Sequence, residues 1–363
     1  MDNHPHLLVS ITAHGFGHVA QAAPVINALR ELVPDLQLTV HSAAPLTHLR
    51  SRIRGPFDYL RESGDIGMLM SSAMDVRVAE TAEAYHVLHH EWGIKVGNEA
   101  AALKELAPDF VLSNVGYLPL AAAHLAGIPC AAICSLNWAD VFAHYCGRLS
   151  GAHHVIEQIG HAYAHAEAFL QPAPSMPMSD LPNRIALGPL AETGTRRRAE
   201  IDQLLGLGGD EKLVLVSLGG VAGRLPMEDW PRIAGVRWVV SANWHVRHPD
   251  VIVLESLEMD FRDVLASADA LICKPGYGSF VEAACNGVPV LFVSRDDWPE
   301  TPCLKDWLQS NARGLEITRS QLESGNFADA LESLWSLPAP TPVRPTGVDQ
   351  AADWLAGRLL AWS

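Results

Sequence analysis

Short apolar runs alternate along this chain with longer stretches whose apolar residues recur at helical spacing. In the first half, Leu7 to Ile11, Leu36 to His41, Phe110 to Ser113 and Ile128 to Cys134 read as buried strands. Ala20 to Leu32 and Leu118 to Ala126 read as helices, the second ending before Gly127 and Pro129. Repeated strand and helix units predict a parallel sheet covered on both faces. Pro172, Pro174, Pro177 and Pro182 forbid regular helix and central strand alike, so this segment reads as an interdomain linker. Beyond it the pattern restarts. Leu213 to Ser217, Trp238 to Ser241, Val251 to Leu254, Ala270 to Cys273 and Val290 to Val293 read as strands, with helices such as Phe261 to Ser267 and Phe280 to Asn286 between them. After a second proline-rich stretch, Pro338 to Pro345, the residues Val348, Ala351, Ala352, Leu355, Leu359 and Trp362 fall on one helical face. The expected organisation is an α/β domain over 1–172, a second over 183–337, and a helix over 346–363 that packs back on the first domain to cover its apolar face.

Length and composition fit that reading. The 363 residues exceed one typical domain, and 48% hydrophobic with 18% charged residues describes folded cores rather than a disordered chain. A net charge of −15, from 26 basic and 41 acidic residues, would repel a phosphate backbone, so nucleic acid is not an expected partner. A smaller anion such as a nucleotide diphosphate is compatible, because helix N-termini and a few local basic side chains can bind it. The six cysteines show no CxxC pair and read as reduced core residues of a cytoplasmic protein. Met1 to His6 has no basic region before an apolar stretch, and no window reaches about 18 consecutive apolar residues, so neither export nor a transmembrane segment is expected.

Chemistry concentrates after strands. Thr12 to His18 joins a strand to a helix; Gly15 and Gly17 permit close approach and are candidate donor-binding positions, and His18 stands at the helix start. The positive end of the helix dipole disfavours imidazolium there, leaving a neutral ring able to accept a proton; the alternative is a capping or core histidine. Gly15, Gly17 and Ala20 also fit a loose dinucleotide pattern, but the second strand ends in His41 where that pattern needs an acidic residue, so no nicotinamide cofactor is expected.

Lys274-Pro275-Gly276-Tyr277-Gly278-Ser279 likewise joins a strand to a helix, where free amides and Lys274 could hold a diphosphate. Glu282, one turn inside, could accept from ribose hydroxyls, or could close an S-x-x-E capping box with Ser279. Gly219 and Gly220 close another strand, and Arg295, Asp296, Asp297 and Glu300 follow Val290 to Val293; Arg295 could pair with phosphate, Asp296 or Glu300 with sugar hydroxyls. His86, His89, His90, His153, His154, His161 and His165 crowd the first half without a metal-binding spacing, so no metal is expected.

Together these motifs resemble the GT-B superfamily of glycosyltransferases, and most closely the glycosyltransferase-like domain fused to L-arabinokinases and its free-standing bacterial relatives. The resemblance covers Leu7 to about Trp307 and thins between Pro182 and Ser267. It includes Gly15-Phe16-Gly17-His18, Asp65-Ile66-Gly67, Ser113-Asn114-Val115, Asn137-Trp138-Ala139-Asp140, the Lys274 segment with Glu282, and Arg295-Asp296-Asp297-Trp298. Gln21 stands where that group commonly has arginine, and no sugar kinase domain follows, so kinase activity is not carried over. The resemblance implies two Rossmann-like domains facing a cleft, with the second binding the nucleotide, Glu282 the ribose ligand and His18 the base candidate. It further implies inverting, metal-independent transfer from a nucleotide-diphosphate sugar, UDP foremost, to an acceptor touched by Asn137, Trp138 and Asp140. The nucleotide sugar is then a substrate, and no cofactor is expected. A hydrolase of the same fold and a non-catalytic nucleotide-sugar sensor are the alternatives.

Overall fold

Strands buried on both faces must be apolar throughout, and those of the first half are: every residue of β4 (Phe110–Asn114) is buried, as is all of β1 (His6–Ile11) but its first residue. The structure, a computed structural model, describes residues 4–61, 65–72, 74–219, 224–295 and 297–361. The chain divides into two units, one formed by Met1–Ser71, Asp75–Leu190 and Thr346–Ser363, the other by Ser72–Met74 and Ala191–Pro345.

Among the described residues of the first unit, β1 and β4 join β2 (Gln37–His41), β3 (Asp58–Leu60), β5 (Cys130–Ile133), β6 (Ala168–Pro172) and β7 (Arg184–Leu187) in one parallel sheet, ordered β3-β2-β1-β4-β5-β6-β7. Strand order reverses between β1 and β4, where Ile11 lies opposite Asn114; ligands of open α/β sheets bind at such a switch point, beyond the carboxyl ends. The proline-rich stretch expected to be the linker is instead a crossover within this unit. Pro172 ends β6 and lies opposite Leu187 of β7, so the chain re-enters the same sheet before passing to the second unit after Leu190. A terminal strand position tolerates proline, and side chains hold the crossover in place of a helix: Gln171 Nε2 donates to Ser175 Oγ at 2.9 Å and Arg184 Nη1 to the Pro177 carbonyl at 2.7 Å. The first domain therefore extends past 172, and the second begins near 191 rather than 183.

The second unit repeats the plan among its described residues. β8 (Lys212–Ser217), β9 (Val236–Val240), β10 (Val251–Val253), β11 (Ala270–Cys273), β12 (Val290–Val293) and β13 (Gly314–Ile317) form a parallel sheet in the order β10-β9-β8-β11-β12-β13. Its switch point lies between β8 and β11. Trp230, Trp238 and Phe327 meet edge to face in its core, with centroids 5.0 to 5.9 Å apart.

The last helix, Gly347–Leu359, belongs to the first unit and packs against the helix Gly17–Leu32. Ala351, Ala352, Leu355 and Leu359 are buried there, while Trp362 lies outside the described residues. Its start is pinned by backbone contact. A Cβ on Gly347 would meet the Gly188 carbonyl oxygen at 2.0 Å, and Gln350 Oε1 accepts from the Gly188 amide at 2.8 Å. Replacing the fully buried Leu355 with alanine should cost about 2 to 5 kcal/mol of stability, read as a lower denaturant midpoint; an unchanged midpoint would show that this helix adds nothing to the core. Among the described residues, no helix is long and apolar enough to cross a membrane.

Candidate functional site

β1 delivers the chain to the switch point, and the loop Thr12 to Phe16 turns it into the helix Gly17–Leu32. The turn uses a left-handed backbone at Gly15 (φ +75°), which glycine adopts without a Cβ penalty. Beside Gly17 a Cβ would meet no atom within 4 Å, so that position stays open. His18 lies one residue into the helix and is buried, its Nδ1 2.7 Å from Asn114 Oδ1 at the end of β4. An amide oxygen only accepts, so Nδ1 carries the proton and donates; Nε2 is left as the basic nitrogen. Asn114 Nδ2 in turn donates to Gln21 Oε1 at 3.3 Å, and Gln21 Nε2 donates to Ser135 Oγ at 2.9 Å. Gln21, at the position where arginine was the commoner residue, thus belongs to the network that orients the histidine. Burial is the largest influence on His18 and lowers its pKa below the ordinary 6.5, while the Asn114 bond and the charge of Asp65 pull it upward.

Of the residues assigned by sequence to an acceptor, Trp138 reaches this centre: its ring centroid is 6.0 Å from that of His18 and 5.5 Å from that of His14. Its Nε1 donates to Asp65 Oδ2 at 2.7 Å, and Thr12 Oγ1 donates to the same oxygen. Asn137 and Asp140 are engaged with each other instead. Asn137 caps the helix Trp138–Cys146 by accepting from the Asp140 amide at 2.8 Å, and its Nδ2 donates to Asp140 Oδ2 at 2.8 Å. That pairing gives both residues a structural task. Sequence alone gives Asn114 and Asp65 no role, since the cue they carry is a position at or after a strand end.

In the second unit, Lys274 follows β11 and the helix begins at Tyr277, with Gly276 as its N-cap and no capping side chain. Ser279 is therefore inside the helix, and the Ser279–Glu282 capping box does not form. Gly276 has extended backbone (φ −162°) that any residue adopts, whereas Gly219, closing β8 across the switch point, is left-handed (φ +80°). A Cβ at Gly219 would lie 3.8 Å from Lys274 Cε, so the two strand ends converge on this side chain. Burial first, then the Arg295 guanidinium, push the Lys274 ammonium down to about 8, with Glu300 opposing. After β12, Arg295 is buried with its guanidinium 4.4 Å from the centre of the Trp298 ring and Nε 4.0 Å from Asp297 Oδ1. Glu300 is also buried and accepts from Trp298 Nε1 at 3.4 Å. Glu282 is buried in the second turn of the helix Tyr277–Cys285, after Gly278 and Ser279 of the first. Gly220 and Asp296 lie outside the described residues.

Of the histidines from His86 to His165 singled out by sequence, His89 is the buried one. His89 sits between Gln158 Oε1 at 2.6 Å and the Tyr117 hydroxyl at 2.9 Å, in a stack with Tyr85 and Trp92. Among the described residues, no group of three or more His, Cys, Asp or Glu side chains is placed to hold a metal ion.

No protein-family model matches the chain. Over 334 residues, 90% of its length, the chain is 26% identical to the L-arabinokinase of Arabidopsis thaliana, and it spans about a third (32%) of that relative. The glycotransferase of kitacinnamycin superimposes with a TM-score of 0.62 at 18% identity, covering 99% of this chain and 96% of that one. Arabidopsis thaliana UGT89C1 complexed with UDP gives 0.59 at 15% identity, over 98% and 99% of the two chains. A UDP-N-acetylglucosamine 2-epimerase gives 0.54 at 15% identity, over 99% and 96%. With two Rossmann-like parallel sheets, each carrying its candidate residues at a switch point, the chain has the GT-B fold of these glycosyltransferases and epimerase.

Proposed function

We propose that this protein is an inverting, metal-independent glycosyltransferase that uses a nucleotide-diphosphate sugar, UDP-linked in the first instance. The observation that carries the reading is the 2.7 Å contact of buried His18 Nδ1 with the Asn114 amide oxygen: with Nδ1 donating to that oxygen, Nε2 presents a lone pair, and burial lowers the pKa of the ring and so favours its neutral form. In the transfer, Nε2 removes the proton of the acceptor hydroxyl as its oxygen bonds the anomeric carbon. The bond from that carbon to the diphosphate oxygen breaks, and its electron pair leaves with the diphosphate. The second unit holds the donor: Gly219, Lys274 and the start of the helix Tyr277–Cys285 meet the diphosphate, Arg295 adds positive charge, and Glu282 accepts from the ribose hydroxyls. A helix N-terminus and Lys274 stabilise the departing charge without a metal ion.

The test is a panel of nucleotide sugars scored by thermal stabilisation, with product analysis of those that bind, in the presence and absence of a chelator. Transfer to an added acceptor that ignores the chelator is the expected result. Free sugar released by water alone would make the protein a hydrolase, binding without any product a sensor, and activity restored by magnesium or manganese would overturn metal independence.

Lys274 gives this reading a pH signature. Its ammonium is lost as pH rises through about 8. A bound diphosphate favours the charged form, so donor affinity should weaken progressively from about pH 8 upward. Calorimetric titration across that range checks it, and Lys274→Met should be weaker throughout but lack that dependence.

A further inference from the structure

Phe16 breaks two local preferences at once. It is the N-cap residue of the helix Gly17–Leu32 and makes no capping bond, at a position where Ser, Thr, Asp or Asn would accept from a helix amide. It also leaves a large apolar ring 42% exposed, two residues before the candidate base. Departures of this kind are expected where a residue serves function instead of stability. The ring is nevertheless held. It stacks on His48 of the helix Leu46–Arg52, with centroids 4.0 Å apart and planes at 27°. Burial first, then the charge of Arg52, hold the pKa of His48 down to about 4, so the ring beneath Phe16 is uncharged above that pH. One face of Phe16 is thereby covered, and its exposure belongs to the other face and the edge.

Around it the loop offers polar groups and room. His14 is half-buried, with Trp138 edge-on at 5.5 Å and Gly67 so close that a Cβ there would come within 3.2 Å of His14 Nδ1. Between Phe16 and His18 lies Gly17, beside which a Cβ would meet no atom within 4 Å. The aromatic residues of the interior present no such face: Trp138, Tyr117 and Tyr163 are fully buried. Among the described residues of the first unit, Phe16 is the exposed large apolar side chain that this loop carries. A flat apolar molecule is held by apolar walls on several sides. A single ring face beside imidazoles suits another ligand, a cyclic sugar, whose C–H face lies on the negative face of an aromatic ring while its hydroxyls meet polar groups.

We propose that Phe16 is the platform for the acceptor and that the acceptor is a sugar in its ring form, laid with its C–H face on Phe16, over Gly17, with one hydroxyl directed to His18. This role rests on the reading of His18 as the base of a glycosyl transfer and names the acceptor class which that reading leaves open. The bonds made and broken are those already given. The sugar hydroxyl loses its proton to Nε2, its oxygen bonds the anomeric carbon of the donor, and the diphosphate leaves with the electron pair. Phe16 touches the acceptor alike in the ground state and the transition state, so it acts on the acceptor KM and not on kcat.

The test compares acceptors at a saturating level of a nucleotide sugar that binds: free hexoses and pentoses, their methyl glycosides, linear hexitols and flat phenols. Ring sugars should receive the transferred sugar, and hexitols and phenols should not. Phe16→Leu should raise the acceptor KM by about 3-fold to 10-fold, the size of one aromatic contact, with kcat and donor Kd kept. Phe16→Trp should keep the wild-type KM or lower it. His48→Ala, which removes the support, should move KM in the same direction as Phe16→Leu, whereas His48→Phe should not. Saturation-transfer NMR on the methyl glycosides gives a reading without turnover: their ring C–H signals should appear with wild type and weaken with Phe16→Leu. Transfer to phenols with sugars inert, or an acceptor KM that ignores Phe16→Leu, overturns this role while the transfer reading stands. Sugars that bind through Phe16 but receive nothing overturn the transfer reading and keep the contact on Phe16. Neither binding nor transfer overturns both.

Discussion

Replacing His18 with alanine should leave donor affinity in place and reduce turnover by about 100-fold to 10,000-fold, the usual contribution of a positioned base. Donor affinity is expected to survive because the proposed diphosphate and ribose contacts all come from the second unit. The substitution also has a structural side. Asn114 Oδ1 loses its bond from Nδ1 inside the protein, and leaving a buried acceptor unmet costs about 1 to 3 kcal/mol. Turnover must therefore be expressed per folded molecule, with the folded fraction measured by circular dichroism on the same sample. Activity that falls only in proportion to the unfolded fraction would make His18 a core histidine, and a variant as active as wild type would remove it from the mechanism.

The same residue predicts the shape of two pH profiles. Burial holds the folded-state pKa of His18 below the ordinary 6.5, so the acid limb of kcat should lie below that value. For stability the sign is fixed by proton binding. Below 6.5 the unfolded chain takes up a proton that the folded ring resists, so His18 makes the wild type progressively less stable as pH falls from that value. His18→Ala should lack this contribution, and denaturation at several acid pH values reads the difference.

What sequence could and could not supply follows from the range of the forces involved. Parallel strands buried on both faces are continuous apolar runs, so β11 and β12 appear in the sequence at their observed limits, and β1 and β4 to within one residue. β3, β6, β7 and β13 are not read from the sequence: three of the four residues of β7 are exposed, β3 has no buried residue and β13 has one, so these lack the apolar signal, while the buried β6 runs directly into the proline-rich stretch. That omission moved the domain boundary, because the proline-rich crossover between β6 and β7 looked like an exit from the domain. Gly15, Gly17 and His18 were legible as a loop between strand and helix. Their partner was not, since His18 meets a residue 96 positions away, and only the parallel register of β1 on β4 brings Asn114 to it. Trp138 was assigned to an acceptor from its motif alone; that its N–H is spent on Asp65 depends on three segments meeting in space. In the second unit the S-x-x-E spacing suggested a cap at Ser279, but Gly276 already breaks the chain two residues before Gly278, and the helix starts at Tyr277.

Glu282→Ala should weaken binding of the nucleotide sugar by about 1.5 to 3 kcal/mol, the range for hydrogen bonds to charged groups, which is about 10-fold to 150-fold in Kd. With the capping box absent, Ser279 lies inside the helix and gives Glu282 no cap to complete. The helix instead keeps this carboxylate in its second turn, buried, on the element whose start is proposed to meet the diphosphate. A ribose sits beyond the diphosphate from the reacting carbon, so its hydrogen bonds are the same in the ground state and the transition state. Such uniform binding sets KM and not kcat. Glu282→Ala should accordingly raise the KM for the donor with kcat near wild type, the reverse of His18→Ala, and Glu282→Gln, which keeps one acceptor oxygen, should fall between the two values of Kd. The competing result is equally distinct. A lowered melting temperature with unchanged Kd and KM would mean that Glu282 serves only the interior of its own unit, and the ribose would then have to be held by another residue of the second unit.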